Sequence, residues 1–174
     1  MHLYALSPDG AIYSSQTGGY GEQGSIYGCL AGTRRRFAVG SYLNSSQIQE
    51  DVAFAALRRP YAMATQTHSG PTILVTPTIT VYDLRNGHRV RQVTPAFPPG
   101  CPRCSVSSAK LGRSGDLAWT QENMDGTVSV VKVDTTGMAT LDQGAIDPTS
   151  LALSDSGATV YWLDAGVAHS AALN

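Results

Sequence analysis

Charge is scarce in this chain of 174 residues: charged residues make up 14% of the sequence, against about 25% in an average soluble protein. High charge is a signature of disorder, so its absence, with 42% hydrophobic residues, predicts a folded globular protein of one domain or two small ones. Long apolar runs are also missing, since a run such as 52–57 is far shorter than the about 20 residues that a membrane-spanning helix needs. The start of the chain lacks the pattern of a signal peptide.

Complete catalytic and cofactor-binding signatures are missing as well. Residues 19–24 have the spacing G-x-G-x-x-G, but a dinucleotide site needs a helix directly after it, and 25–29 is typical of a strand. Residues 107–110 match S-x-x-K, whose chemistry needs a helical turn where a strand is predicted. Residues 123–126 resemble part of a calcium loop without its bidentate Glu. The sequence therefore predicts no catalytic residue, no cofactor and no metal site.

Three cysteines are present, and two of them form the motif Cys101-Pro-Arg-Cys104. Such a pair can be a redox centre, half of a zinc site or a short disulfide. Pro and Gly before the motif and Ser after it do not favour the helix that a thioredoxin-type centre requires, and no second paired motif completes a zinc site. A local disulfide is the leading prediction, with a pair of free thiols as the alternative. Cys29 lies in an apolar stretch and is predicted to be buried.

The net charge of −1 hides an uneven distribution. Residues 34–113 carry eleven Lys and Arg with three acids, whereas residues 114–174 carry one Lys with eight acids. This asymmetry can mark an anion-binding face, or it can reflect attraction between the two halves within one fold or across copies. The basic residues form no long run and are not interleaved with aromatic residues, so nucleic acid is not favoured as a partner.

Short period-two runs and turn signals alternate along the whole chain, which predicts an all-β fold of antiparallel strands. Asn86-Gly87, between strands at 72–84 and 88–94, is a type I′ hairpin signal. One segment is ambiguous, because 47–58 has a capping box and helical spacing as well as a strand pattern.

An internal repeat is the most informative feature of the sequence. Segments starting near residues 3, 107 and 150 each read as a strand, a Ser/Asp-Gly turn and a strand that ends near an aromatic residue. A degenerate copy starts near residue 52, where Arg58-Arg59-Pro60 replaces the glycine turn, and it favours a strand at 52–57. Units of 40–50 residues with four strands each are typical of propeller blades.

At these residues the chain resembles a known class of protein. The turn Leu6-Ser-Pro-Asp-Gly10 resembles the blade turn of TolB-like and WD-type β-propellers, and 81–87 resembles the end of their third strand with its hairpin. Residues 151–173 are similar to uncharacterised propeller-like proteins of actinobacteria. The WD dipeptide and its paired His are not in place. The resemblance implies a fold and says almost nothing about activity.

The predicted architecture is therefore a single β-propeller-like domain of about four antiparallel four-stranded blades. The blades span about 2–43, 52–97, 105–146 and 149–174, and the last blade is incomplete because it holds three strands. The chain could be a fragment of a larger propeller without a function of its own, a small closed ring, or one part of an assembly of copies.

The leading functional interpretation is a non-enzymatic binding or scaffold module, expected to be extracytoplasmic, with a protein partner or self-association. An anionic partner is expected to bind the basic residues Arg34, Arg35, Arg36, Arg89 and Arg91. The alternative is a propeller-type hydrolase or lyase with a site at the central channel, where Asp9, Asp116 and Asp155 recur near the first turn of three repeats. Asp also favours turns for local reasons, so the three residues have a simpler explanation.

Overall fold

A computed structural model of the chain describes residues 2–14, 22–45, 48–69, 77–98, 101 and 104–174. These residues contain fifteen β-strands and no helix, which confirms the all-β class, and nothing among them could serve as a membrane-spanning helix. The strands are β1 His2–Ser7, β2 Gly10–Ser14, β3 Gln23–Leu30, β4 Arg36–Asn44, β5 Gln49–Arg58, β6 Tyr61–Ser69, β7 Thr78–Asp83, β8 His88–Val93, β9 Ser105–Leu111, β10 Leu117–Glu122, β11 Val128–Asp134, β12 Gly137–Gly144, β13 Ala152–Leu153, β14 Thr159–Asp164 and β15 Val167–Ala172.

The chain divides into two compact units, Met1–Thr94 (unit 1) and Pro95–Asn174 (unit 2). In unit 1 each strand pairs antiparallel with the next along the chain, and the order β1 to β8 makes one eight-stranded sheet. The ladder is weakest at its centre, because β4 and β5 share only the pairs Leu43–Glu50 and Asn44–Gln49. Unit 1 is therefore two four-stranded meanders, β1–β4 and β5–β8, joined by a short ladder.

The two meanders of unit 1 pack face to face. Their common core combines Ile12, Ile26 and Val39 from the first meander with Val52 and Ala62 from the second. Burying this apolar surface is the main force that holds two such sheets together, since each has an apolar face that water would otherwise cover. Strand β1 consequently lies along β5.

Unit 2 repeats the plan with a four-stranded meander, β9–β12, and a three-stranded one, β13–β15. Their core joins Val128 and Val130 of β11 to Val160 and Trp162 of β14, with Ile146 from the connection between the meanders. Along β14 the buried Val160 and Trp162 alternate with the exposed Tyr161 and Leu163, as a strand with one apolar face requires, whereas six of the seven residues of β11 are buried.

The sheet layout does not show four separate blades. The strands of the first two predicted blades are hydrogen-bonded into one sheet, so the sheets have eight, four and three strands, and none of them closes on itself. The physical reason is the pairing of Asn44 with Gln49, which continues the antiparallel ladder across the connection. The ambiguous segment is also resolved, because β5 is a strand that pairs with β6 along its whole length.

The hairpin at Asn86-Gly87 forms, but its predicted turn type is wrong. Strand β7 ends at Asp83 and β8 begins at His88, so the turn has four residues, and among them only Gly87 has a positive φ. A longer turn forms because Leu84 packs into the core of unit 1 while the Asp83 carboxylate accepts the Arg85 N–H at 2.9 Å. A two-residue turn has no position that could supply both contacts.

A buried ion pair holds the end of β11 in unit 2. The Lys132 Nζ lies 2.6 Å from Oδ2 of Asp134, whose side chain is fully buried. Burial opposes ionisation of Asp134, but the Lys132 ammonium, the Thr136 hydroxyl and the N–H groups of Thr136 and Asn174 outweigh it and hold the pKa of this carboxyl well below its usual range.

Two glycine turns in unit 1 provide a matched test of the packing. Gly87 and Gly32 have nearly the same φ, 77° and 76°, but an added Cβ would lie 2.3 Å from Phe37 Cδ1 at Gly87 and would meet nothing within 4 Å at Gly32. We expect Gly32→Ala to cost about 1 kcal/mol of unfolding free energy through backbone strain alone. Gly87→Ala should cost clearly more in urea unfolding, since Phe37 must move. Equal costs would contradict the close approach.

The ion pair of unit 2 makes stability depend on pH in a defined direction. Because the folded pKa of Asp134 is depressed, its ionised form stabilises the fold above about pH 4, and this contribution is lost as pH falls below the unfolded value. Asp134→Asn should cost about 3 kcal/mol near neutral pH, and the difference from wild type should shrink as pH approaches about 2. Urea unfolding across this range, with the exposed Asp155→Asn as control, checks the trend. A pH-independent difference would contradict it.

Candidate basic binding edge

Four hairpin turns of unit 1 lie at one edge of the sheet. In an antiparallel meander every turn that follows an odd-numbered strand falls at the same edge, which here brings together residues 8–9, 31–35, 59–60 and 84–87. We call these residues, with the strand ends beside them, the turn edge. The turn edge carries six arginines, namely Arg34, Arg35, Arg36, Arg58, Arg59 and Arg85.

Contacts between the turns fix the turn edge as one surface. The Asp9 carbonyl accepts the Ala31 N–H at 2.7 Å, and its carboxylate accepts the Arg59 N–H at 3.3 Å. The Leu84 N–H donates to the Pro60 carbonyl at 2.9 Å, which joins the third turn to the fourth. The close approach of Gly87 to Phe37 joins the fourth turn to the second. Each turn is thus tied to two others.

The turn edge has a strong positive bias. Its acids are Asp9, which caps backbone, and Asp83, which is buried and forms an ion pair of 2.6 Å with Arg85. The hydrogen bonds from Arg85 hold the pKa of Asp83 below its usual value, so this carboxylate stays ionised and bound to its partner. Among the described residues no acid forms an ion pair with Arg34 or Arg35, and both are exposed.

Local contacts shape the predicted triplet. The Thr33 hydroxyl donates to the Leu30 carbonyl at 3.0 Å, which turns the chain after β3. The Arg36 guanidinium lies over the Tyr27 ring, 4.6 Å from its centroid, and this cation–π contact limits the conformations of the side chain. A partly ordered arginine loses less entropy on binding than one that is free to rotate.

The other two predicted arginines lie on β8, after the fourth turn. A bulge between the pairs Val81–Arg91 and Tyr82–Arg89 separates the directions of Arg89 and Arg91. Arg89, hydrogen-bonded to Gln92, lines a polar groove of about 290 Å³ with Glu50, His68 and Tyr82. Arg91 does not line this groove. The five arginines of the prediction are therefore not a single cluster.

The groove holds a bridged carboxylate. Glu50 accepts a hydrogen bond from the Ser41 hydroxyl at 3.3 Å, and its other oxygen lies 2.9 Å from Nδ1 of His68. The carboxylate therefore stands between the hydroxyl and the imidazole. In a serine-type catalytic triad the imidazole stands between the other two groups, so that it can deprotonate the hydroxyl. This groove consequently does not have the arrangement of an activated serine.

The three aspartates on which the enzyme alternative rests lie at three different turns. Asp9 caps the turn edge, Asp116 is fully buried beside a turn, and Asp155 lies exposed in the turn 154–157. Ser107 and Lys110 are both in strand β9, and the Ser107 hydroxyl donates to Glu122 at 2.8 Å. The Asp125 carboxylate accepts the Thr127 N–H at 3.0 Å, which makes 123–126 part of a hairpin turn. Part of the glycine motif 19–24 lies outside the described residues.

In unit 2, Cys101 and Cys104 are joined by a disulfide with their Cα atoms 5.5 Å apart. Cys29 of β3 is free and half-buried. Comparison of the chain with protein-family models and with curated proteins finds no match. The site is thus defined by its geometry and charge.

The sequence prediction missed Arg58, Arg59 and Arg85 as neighbours of the triplet Arg34–Arg36. Charge alone does not reveal this grouping, because the residues are up to 51 positions apart. The order of the strands would reveal the grouping, since all four turns follow odd-numbered strands and such turns lie at the same edge of a meander.

The disulfide has a direct chemical test. Alkylation of the denatured protein before reduction should modify Cys29 alone, and alkylation after reduction should modify all three cysteines. Intact mass spectrometry measures both states. Modification of three cysteines before reduction, in protein prepared under oxidising conditions, would contradict the bond.

Proposed function

We propose that this chain is a non-enzymatic binding module that holds an acidic segment of a protein partner against the turn edge of unit 1. One observation carries the proposal: six arginines converge on turns that are hydrogen-bonded to one another, with only two acids among them. A pre-ordered basic surface of this kind binds carboxylates through charge-assisted hydrogen bonds.

Arginine suits this role better than lysine would. Its planar guanidinium donates two parallel hydrogen bonds to one carboxylate, and it is weakly hydrated, so less free energy is lost when water leaves. All six basic residues of the turn edge are arginine. An acidic protein segment is favoured over nucleic acid because rings near the turn edge are engaged within the fold: Tyr27 lies under the Arg36 guanidinium, and Phe37 packs against the core of unit 1.

We further propose that the meanders are propeller-like blades and that the protein is extracytoplasmic. The four meanders span 2–44, 49–93, 105–144 and 152–172, close to the predicted blades, and β1 lies along β5 as neighbouring inner strands of a propeller do. The disulfide supports an oxidising compartment. An experimental structure in which the meanders are not arranged one after another around an axis would contradict the blade proposal. Recovery of the protein from the cytosolic fraction of cells, with Cys101 and Cys104 as free thiols, would contradict the extracytoplasmic proposal.

A labelled ten-residue glutamate peptide tests the binding function. Removing Arg34, Arg35 and Arg36 together should weaken binding about tenfold, since exposed ion pairs contribute about 0.2–1 kcal/mol each. The salt dependence of the dissociation constant should fall at the same time, because fewer charges are paired in the complex. Fluorescence anisotropy at several salt concentrations measures both quantities.

The matched control is Arg113→Ala, which removes an exposed turn arginine of unit 2. It should leave binding and its salt dependence nearly unchanged. Equal weakening by the control and by the triple variant would show non-specific charge attraction and sink the proposal. Tighter binding of a single-stranded oligonucleotide of equal charge would reassign the surface to nucleic acid.

A further inference from the structure

Three metal-ligating side chains meet in unit 2, away from the turn edge. Asp142 of β12, Asp164 of β14 and His169 of β15 each offer one ligand atom, and these atoms all lie within 4.8 Å of one another. A metal ion with ligand bonds of about 2.0–2.2 Å can bridge donors at such spacing after small side-chain rotations. We propose that these residues form a binding site for a divalent transition-metal ion of the zinc class.

The fold explains why the three residues meet. His169 pairs with Trp162 across the β14–β15 ladder, so both side chains lie on one face of the sheet. Asp164 is two residues after Trp162 and shares that face, because strand side chains alternate. Asp142 reaches the same place from β12, where its Oδ2 accepts the Trp162 indole N–H at 2.7 Å.

Groups around the cluster orient the ligands as the outer shell of a metal site does. The indole N–H fixes Asp142 Oδ2, and the Gln143 N–H binds the other carboxylate oxygen at 2.9 Å. The Trp162 ring stacks on the His169 imidazole with 5.9 Å between centroids and 21° between planes. Such hydrogen bonds to a ligating carboxylate restrict its orientation, and their loss typically weakens metal binding 10- to 100-fold.

Gly144 makes room for the second carboxylate. A Cβ at this position would lie 3.3 Å from Oδ1 and 3.5 Å from Oδ2 of Asp164. The missing side chain therefore leaves the Asp164 carboxylate close against the backbone beside the cluster.

The charge of the cluster favours a cation. Among the described residues, no Lys or Arg forms an ion pair with Asp142 or Asp164. The nearest basic group recorded for Asp142 is the His169 imidazole, whose Nδ1 is 3.9 Å from Oδ2. Two carboxylates this close repel each other, and a divalent ion between them would replace that repulsion with attraction.

The ligand set indicates the class of metal. One imidazole with two carboxylates suits zinc and related transition ions, whereas calcium and magnesium prefer oxygen ligands alone. Three protein ligands leave coordination positions for water, as in zinc sites that are not closed. The His169 side chain is 42% exposed, which gives an ion a path to the cluster.

Calorimetric titration of the full chain with zinc chloride at pH 7.5 tests the site. We expect one zinc ion per chain, with binding weakened at least tenfold by His169→Ala and by Asp164→Asn. The matched control is His88→Ala, which removes an exposed histidine of unit 1 and should leave zinc binding unchanged. Gly144→Ala keeps every ligand and should weaken binding by crowding the Asp164 carboxylate.

A spectroscopic readout separates this site from any other. Cobalt, whose unfilled d shell quenches nearby indoles, should quench the indole emission in wild type, through Trp162 beside the cluster, and not in His169→Ala. Circular dichroism confirms that the variants fold. No zinc uptake by wild type, equal uptake by wild type and His169→Ala, or preference for calcium over zinc would each overturn the proposal.

Discussion

The antiparallel meander is the constraint on which the binding surface of unit 1 depends. Strands that alternate in direction must place their turns alternately at two edges, so the four turns after odd-numbered strands share one edge whatever their sequences. Face-to-face packing of the two meanders then brings the four turns close enough to be hydrogen-bonded. Asp9 has the central position, because its carbonyl and its carboxylate bind two different turns.

Carboxylates that cap turns account for much of the acidic half of the chain. Asp125, Asp134 and Asp147 each accept the N–H and the hydroxyl of a threonine two residues later. These hydrogen bonds lower the pKa of Asp125 and Asp147, as they help to do at Asp134. Asp83 binds the N–H of Arg85 in the same way at the end of the third strand of its meander. The charge asymmetry of the sequence is thus partly a consequence of turn chemistry.

The strands and their grouping could be predicted from the sequence because they depend on local signals. Period-two runs, glycine turns and the spacing of the repeat place four meanders near their observed positions. The joining of the first two meanders could not be predicted, since it rests on two residue pairs in a short connection. The length and type of the turn at Asn86-Gly87 could not be predicted because Leu84 packs against core residues from distant strands.

The candidate site residues are harder to predict because residues far apart in the sequence come together only in the folded chain. Arg34, Arg35 and Arg36 stood out as a triplet, but their grouping with Arg59 and Arg85 appears only once the turns are assigned to an edge. The cluster of Asp142, Asp164 and His169 has no motif spacing, since three strands supply one ligand each. The side chains of Arg89 and Arg91 point in different directions because of a bulge, and no pattern in the sequence of β8 predicts that bulge.

The most direct test of the turn edge is to observe its arginines one by one. The side-chain Nε–Hε resonances of the arginines, recorded by NMR during titration with the glutamate peptide, report contact at each guanidinium. Because the Arg85 Nε–H already donates to Asp83, binding at the turn edge predicts that the largest shifts occur at Arg34, Arg35, Arg36, Arg58 and Arg59, while Arg113 stays unchanged. Shifts spread evenly over all arginines, or largest at Arg113, would contradict a single binding edge in unit 1.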